Sequence, residues 1–178
     1  MTRTKTRGRL RGALVFVLEA LIFLAVVAGV HAWQTRGLLP AGASAAPPLE
    51  LEDLSGRARS LAEFSGRPTL LYFFAPWCGV CAASADNLQR LARWRRDAVD
   101  VVLVALDYAD GAEVAAYVER HGLTMPVLLG NAETARHWQV PGYPTYYVLD
   151  GRGHIRQRDF GYSTTPGLWW RTLPARLH

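Results

Sequence analysis

The sequence predicts an α/β domain with a central mixed sheet, preceded by one N-terminal transmembrane helix. Three observations lead there. Beyond residue 49, apolar runs of strand length alternate with stretches of helical spacing. A hairpin signal and one more helical stretch then close the chain, which implies a mixed rather than an all-parallel sheet. Ahead of all this, a helical length of apolar residues broken by one charge follows a run of basic ones.

The basic run comes first. Of 20 Lys and Arg residues, five (Arg3, Lys5, Arg7, Arg9 and Arg11) precede the first acidic residue. The remaining charge is nearly balanced, so the net +5 belongs to the tail, and no nucleic-acid surface is expected. Residues 1–12 are assigned as a basic cytoplasmic tail and 13–32 as a transmembrane anchor. Ala13 to Val30 would span about 27 Å as a helix, close to the hydrocarbon thickness of a bilayer. Glu19 alone interrupts it, at a cost of about 2–3 kcal/mol if central. Basic residues on the N-terminal side orient that end to the cytoplasm and everything beyond to the outside. A cleaved signal peptide, with Val30-His31-Ala32 as processing site, stays open as an alternative with the same consequence for sidedness.

Residues 33–48 (Gln34 to Pro48 being rich in Ala, Gly and Pro) read as a flexible linker. Residues 49–178 are long enough for one domain with a real core. Within it, Leu49 to Leu54 with a turn at Ser55-Gly56 predicts a short hairpin leading to Leu61-Ala62-Glu63-Phe64. Thr69 to Phe74 and Val99 to Leu106 predict strands, the latter buried on both faces. Cys81, Ala85, Leu88, Leu91 and Ala92 mark one helix face, and Val114, Tyr117, Val118 and His121 another, ending at Gly122. Met125 to Leu129 is a short strand, and Asn131 caps Ala132 to Trp138. Thr145 to Asp150 and His154 to Phe160 flank Gly151-Arg152-Gly153 as a hairpin. Thr165 followed by Pro166 reads as the cap and first turn of a helix carrying Leu168, Trp169 and Leu173. Trp169 and Trp170 are expected at core and rim.

The chain holds two cysteines, Cys78 and Cys81, at the junction between the Thr69 strand and the helix after it. The unpaired N–H groups and dipole of a helix start favour a thiolate, the nucleophile and leaving group of disulfide exchange. A second cysteine one turn on can attack a mixed disulfide formed by the first. Other uses fit less well. A three-residue loop gains little as a staple. Zinc needs about four ligands, and the five histidines (His31, His121, His137, His154, His178) show no ligand spacing. Haem attachment needs His where Ala82 stands. Copper(I) held by two thiolates is the rival from another class, although further soft ligands are restricted to Met1 and Met125. A thiol peroxidase would not need the resolving cysteine.

Strand, Trp77-Cys78-Gly79-Val80-Cys81, helix, then Gly142-Tyr143-Pro144-Thr145 before a hairpin resembles the thioredoxin superfamily. The insertion between Asp107 and Gly130 resembles its membrane-anchored TlpA-like branch. Leu70 to Phe73, Trp77 to Cys81 and Gly161 to Trp169 are most similar to the suppressor-of-copper-sensitivity type D proteins. The resemblance implies a thioredoxin-like fold, with Cys78 attacking and Cys81 resolving as a redox-active disulfide. It implies that Pro144 is cis and that Trp77, Tyr143 and Pro144 bind substrate, with the Tyr143 backbone pairing an extended segment. Two departures stand out. Tyr72 replaces the buried Asp of thioredoxins, and Ser84 replaces the Glu of cytochrome c-maturation thioredoxins. Both acids assist proton transfer in those relatives.

The expected function is a periplasmic, inner-membrane-anchored thiol:disulfide oxidoreductase that reduces protein disulfides. The oxidase or isomerase direction stays open because Gly79-Val80 does not fix the potential. Expected partners are disulfide-containing periplasmic proteins, a transmembrane thiol electron donor, and the membrane itself through residues 13–32. No metal and no organic cofactor is expected.

Overall fold

The computed structural model describes residues 3–42 and 45–173; of the predicted segments, positions 1–2, 43–44 and 174–178 lie outside them. The chain divides into two units, Met1–Arg36 and Gly37–His178. The first is a single helix, α1 (Arg3–Thr35). It exceeds the predicted anchor at both ends, taking in the basic segment from Arg3 and the Trp33–Thr35 start of the predicted linker. Its Leu14–Thr35 portion is long and apolar enough to cross a membrane, and Leu14, Phe16, Phe23 and Leu24 among others expose their side chains. Such a surface suits lipid rather than water.

The second unit is built on a seven-stranded sheet: β1 (Glu50–Asp53), β2 (Ala58–Ser60), β3 (Thr69–Phe74), β4 (Asp100–Ala105), β5 (Val127–Leu129), β6 (Thr145–Leu149) and β7 (Ile155–Phe160). Their order is β2-β1-β5-β4-β3-β6-β7. The β3–β4 and β4–β5 pairs are parallel, whereas β1–β5, β3–β6 and both hairpins are antiparallel. The predicted mixed sheet is therefore present, including the hairpin at Ser55-Gly56. Leu61–Phe64 forms a 3-10 turn closed by reciprocal Ser60 and Glu63 caps.

β3 is buried along its whole length because layers cover both faces of the sheet. Leu70, Tyr72 and Phe74 pack with α2 (Gly79–Trp94), α3 (Gly111–Arg120) and α5 (Thr165–Thr172), through Leu88, Leu91, Val114, Tyr117 and Leu168. Leu71 and Phe73 face the other way, onto Trp138 after α4 (Ala132–His137) and onto Tyr147. Asn131 caps α4 as expected, accepting from the Glu133 and Thr134 amides. At the β6–β7 turn the Asp150 carboxylate accepts from the Arg152 and His154 amides and from Arg156.

Three expectations are corrected. The cap of α5 is Thr164, not Thr165; its Oγ1 accepts from the Gly167 amide, which leaves Pro166 within the first turn. Trp169 and Trp170 are 43% and 69% exposed, so neither is core, and Leu168 and Thr172 fill the inward positions. Trp169 instead lies under the Arg95 guanidinium.

The predicted flexible linker differs most. Leu38 is buried, and Arg158 donates to the Leu38 and Leu39 carbonyls at 2.6 and 2.7 Å. The Leu39 amide donates to the Tyr147 hydroxyl. Gly42 and Ala46 donate to the Ile155 and Gly153 carbonyls, with Ala45 bridged to His154. Residues 38–42 and 45–46 thus form a strap along the outer edge of β7. Composition could not reveal this, because the partners lie more than a hundred positions downstream. Replacing Arg158 with Ala should cost about 1.5–3 kcal/mol as charge-assisted bonds are lost and should speed hydrogen exchange at the Gly42 amide. Unaltered exchange there would mean that Arg158 does not hold the strap.

Candidate active site

Trp77, Cys78, Tyr143 and Pro144 come together because β3 lies between β4 and β6. The β3–β6 register pairs Phe73 with Thr145, so Pro144 reaches the end of β3 just where the chain turns toward the cysteines. The Tyr143–Pro144 bond is cis, as the resemblance implied, and the Pro144 carbonyl accepts from the Gly161 amide.

The turn after β3 closes through the Cys78 amide donating to the Ala75 carbonyl. Cys78 is the cap of α2, with extended backbone angles, and its Sγ accepts from the Cys81 amide at 3.1 Å. A sulfur in this position meets an otherwise unpaired N–H and the positive end of the helix dipole, both of which favour its anion once reduced. Cys78 and Cys81 are joined as a disulfide with Cα atoms 5.2 Å apart. Cys81 is sealed from solvent at 0% exposure, while Cys78 retains 7%.

Trp77 is largely exposed and meets the Tyr143 ring edge-on at 5.8 Å. Sequence reasoning missed the residue joining them. The Asp107 carbonyl accepts from Trp77 Nε1 at 2.8 Å, and its carboxylate accepts from the Tyr143 hydroxyl at 2.9 Å. Partial burial, with the Asp107 charge adding to it, pushes the Tyr143 phenol above its usual range. Asp107 has φ +49°, a conformation Asp tolerates better than most side chains. The available signal is an Asp directly after an apolar strand, at Leu106-Asp107.

Beneath the dithiol, Tyr72 stacks on Tyr146 where thioredoxins hold an acid. Burial pushes the Tyr72 phenol far above its usual value, only partly offset by the Ser84 hydroxyl beside it, and the two hydroxyls do not reach ordinary hydrogen-bond geometry. Ser84 donates to the Val80 carbonyl. His121 lies against Tyr117, and His137 lies near Glu133, each on its own helix away from the cysteine loop.

A family model described as the AhpC/TSA family matches residues 43–158, the greater part of the chain. The chain belongs to this family. It is 32% identical over 149 residues to the thioredoxin-like protein YneN of Bacillus subtilis, covering 81% of this chain and 88% of that one. It is 25% identical over 150 residues to the thiol-disulfide oxidoreductase ResA of Geobacillus kaustophilus, covering 83% and 84%. Among solved structures, the putative thiol:disulfide interchange protein DsbE of Chlorobium tepidum superposes with a TM-score of 0.69 at 26% identity, covering 77% of this chain and 98% of that one. The thioredoxin-like fold and the TlpA-like resemblance therefore hold, and the AhpC/TSA protein described here is a protein-disulfide oxidoreductase.

Tyr72→Phe should leave stability unchanged or raise it by about 1 kcal/mol, since it removes a desolvated hydroxyl whose polar neighbour, Ser84, already donates to the Val80 carbonyl. Chemical denaturation measures this. A loss beyond about 1 kcal/mol would mean that the hydroxyl contributes an interaction.

Proposed function

We propose that this AhpC/TSA protein is a membrane-anchored reductase of protein disulfides on the periplasmic side of the bacterial inner membrane. The observation that carries this reading is the asymmetry of the two sulfurs: Cys78 Sγ receives a helix-start N–H and keeps some exposure, whereas Cys81 is fully enclosed. The Cys78 thiolate attacks one sulfur of the substrate disulfide and expels the other as a thiolate. The Cys81 thiol then gives up its proton and attacks Cys78 Sγ, releasing the second substrate sulfur. Two electrons pass to the substrate, and the Cys78–Cys81 disulfide remains.

Trp77, Tyr143 and Pro144 form the substrate-facing rim, with the Tyr143 backbone available to an extended segment. Tyr72 and Ser84 offer no carboxylate to assist Cys81, so its proton passes to the leaving thiolate or to water that enters with the substrate. Reduced dithiol must be restored in an oxidising compartment, and a transmembrane thiol donor meets that need. The apolar Leu14–Thr35 segment supports residence at the membrane, and the five basic residues ahead of it support a cytoplasmic N-terminus.

In a Cys81→Ser variant, mixed disulfides with client proteins should accumulate, while Cys78→Ser should trap none. Equal trapping by both variants, read on non-reducing gels, would overturn the assigned roles. Alkylation of thiols in intact cells tests direction: the pair should be mostly reduced, and should become oxidised when the membrane donor is deleted. A pair kept oxidised by the compartment's disulfide-forming enzyme would reverse the assignment.

A further inference from the structure

The rim of the dithiol is assembled from three separate loops, and one residue joins them. Trp77 belongs to the β3–α2 loop, Asp107 to the loop after β4, and Tyr143 to the loop before β6. Since β4 and β6 flank β3 on opposite sides, the Asp107–Tyr143 hydrogen bond spans the end of β3 from one neighbour to the other. The Leu106 amide donating to the Phe74 carbonyl fixes where this crossing starts. The left-handed backbone at Asp107 then lets one residue use both of its acceptors, its carbonyl toward Trp77 Nε1 and its carboxylate toward the Tyr143 hydroxyl.

Without Asp107, Trp77 would be nearly free at this end of the sheet, and Tyr143, whose ring packs against both core layers, would lose the partner of its hydroxyl. Trp77 is 64% exposed, and its ring touches Tyr143 only edge-on. An exposed aromatic with one ring contact loses little by rotating away. A ring whose polar atom is also bonded is fixed in two places.

We propose that Asp107 is a positioning residue that sets one side of the substrate groove, holding the joined Trp77 and Tyr143 rings as a single fixed wall beside Cys78. It does not touch the reacting sulfurs; it acts through Tyr143 and Trp77. The substrates it serves are peptide segments that lie against that wall, whereas a small disulfide needs only Cys78. The proposal rests on Cys78 as the attacking thiol.

Pre-reduced full-length protein in detergent, mixed with a disulfide-bridged peptide or with hydroxyethyl disulfide, tests this by the saturation of the exchange rate. Asp107→Gly, which keeps the left-handed backbone accessible, and Tyr143→Phe should each raise the half-saturating peptide concentration about tenfold, with the limiting rate within about threefold. The preference for peptide over hydroxyethyl disulfide should fall by a similar factor. The double variant should be no worse than either single one, because both remove the same bond. Asp107→Asn, which retains an acceptor oxygen, should restore near-native half-saturation.

Additive losses in the double variant would overturn the proposal, as would equal losses toward both disulfides or native peptide saturation in Asp107→Gly. If Asp107→Gly does not fold, Tyr143→Phe and Asp107→Asn carry the same comparison. If the unaltered protein reduces neither disulfide while Cys78 is reduced, the functional reading fails and the groove proposal falls with it. Turnover by the unaltered protein with no effect of the variants sinks the groove proposal alone.

Discussion

Every feature of the rim depends on β3 being hydrogen-bonded between a parallel neighbour and an antiparallel one. The parallel β4 delivers its outgoing loop to the end of the sheet where β3 stops, and the antiparallel β6 begins at that same end. Side chains on both faces of β3 are buried, alternating between the α2–α3–α5 layer and the Trp138–Tyr147 layer. A slip of one residue would exchange these two sets and carry the cysteine loop with it. The register is thus what brings Cys78 and Pro144, far apart in the chain, to one end of the sheet.

The chemistry at that end is set more by backbone dipoles than by side-chain charge. The sulfur of Cys78 caps α2 and meets a backbone N–H, while the side chains below it are the stacked phenols of Tyr72 and Tyr146. Phenols are neutral over the ordinary pH range in any case, and burial moves both still further from ionisation. Further from the dithiol, Asp159 pairs with Arg171, and that guanidinium lies over the Tyr146 ring. The buried charge on this side of the sheet is therefore matched by a cation of α5.

Local patterns made much of this legible. The apolar runs at Thr69 and Val99, the Asn131 cap and the Gly151-Arg152-Gly153 turn each act over a few residues, and each appears where expected. The placement of Trp77, Tyr143 and Pro144 around the cysteines came from resemblance, because periodicity carries no information on which loops meet. What escaped was long-range or one residue out of step. The strap of residues 38–42 and 45–46 depends on Arg158 and Tyr147. The Asp107 bridge depends on a single left-handed residue. The shift of the α5 cap to Thr164 arose because two threonines precede Pro166, and either could cap.

The strap has a colloidal consequence. A sheet's outermost strands present unpaired N–H and C=O groups that can recruit strands of other molecules. Here Gly42 occupies the carbonyl of Ile155 at the start of β7 and Ala46 that of Gly153 in the turn before it, and at the opposite margin β2 is only three residues long. The apolar β3–β4 centre is thus walled off on both flanks. Backbone groups that could pair with a strand of another molecule are thereby fewer at both margins of the sheet.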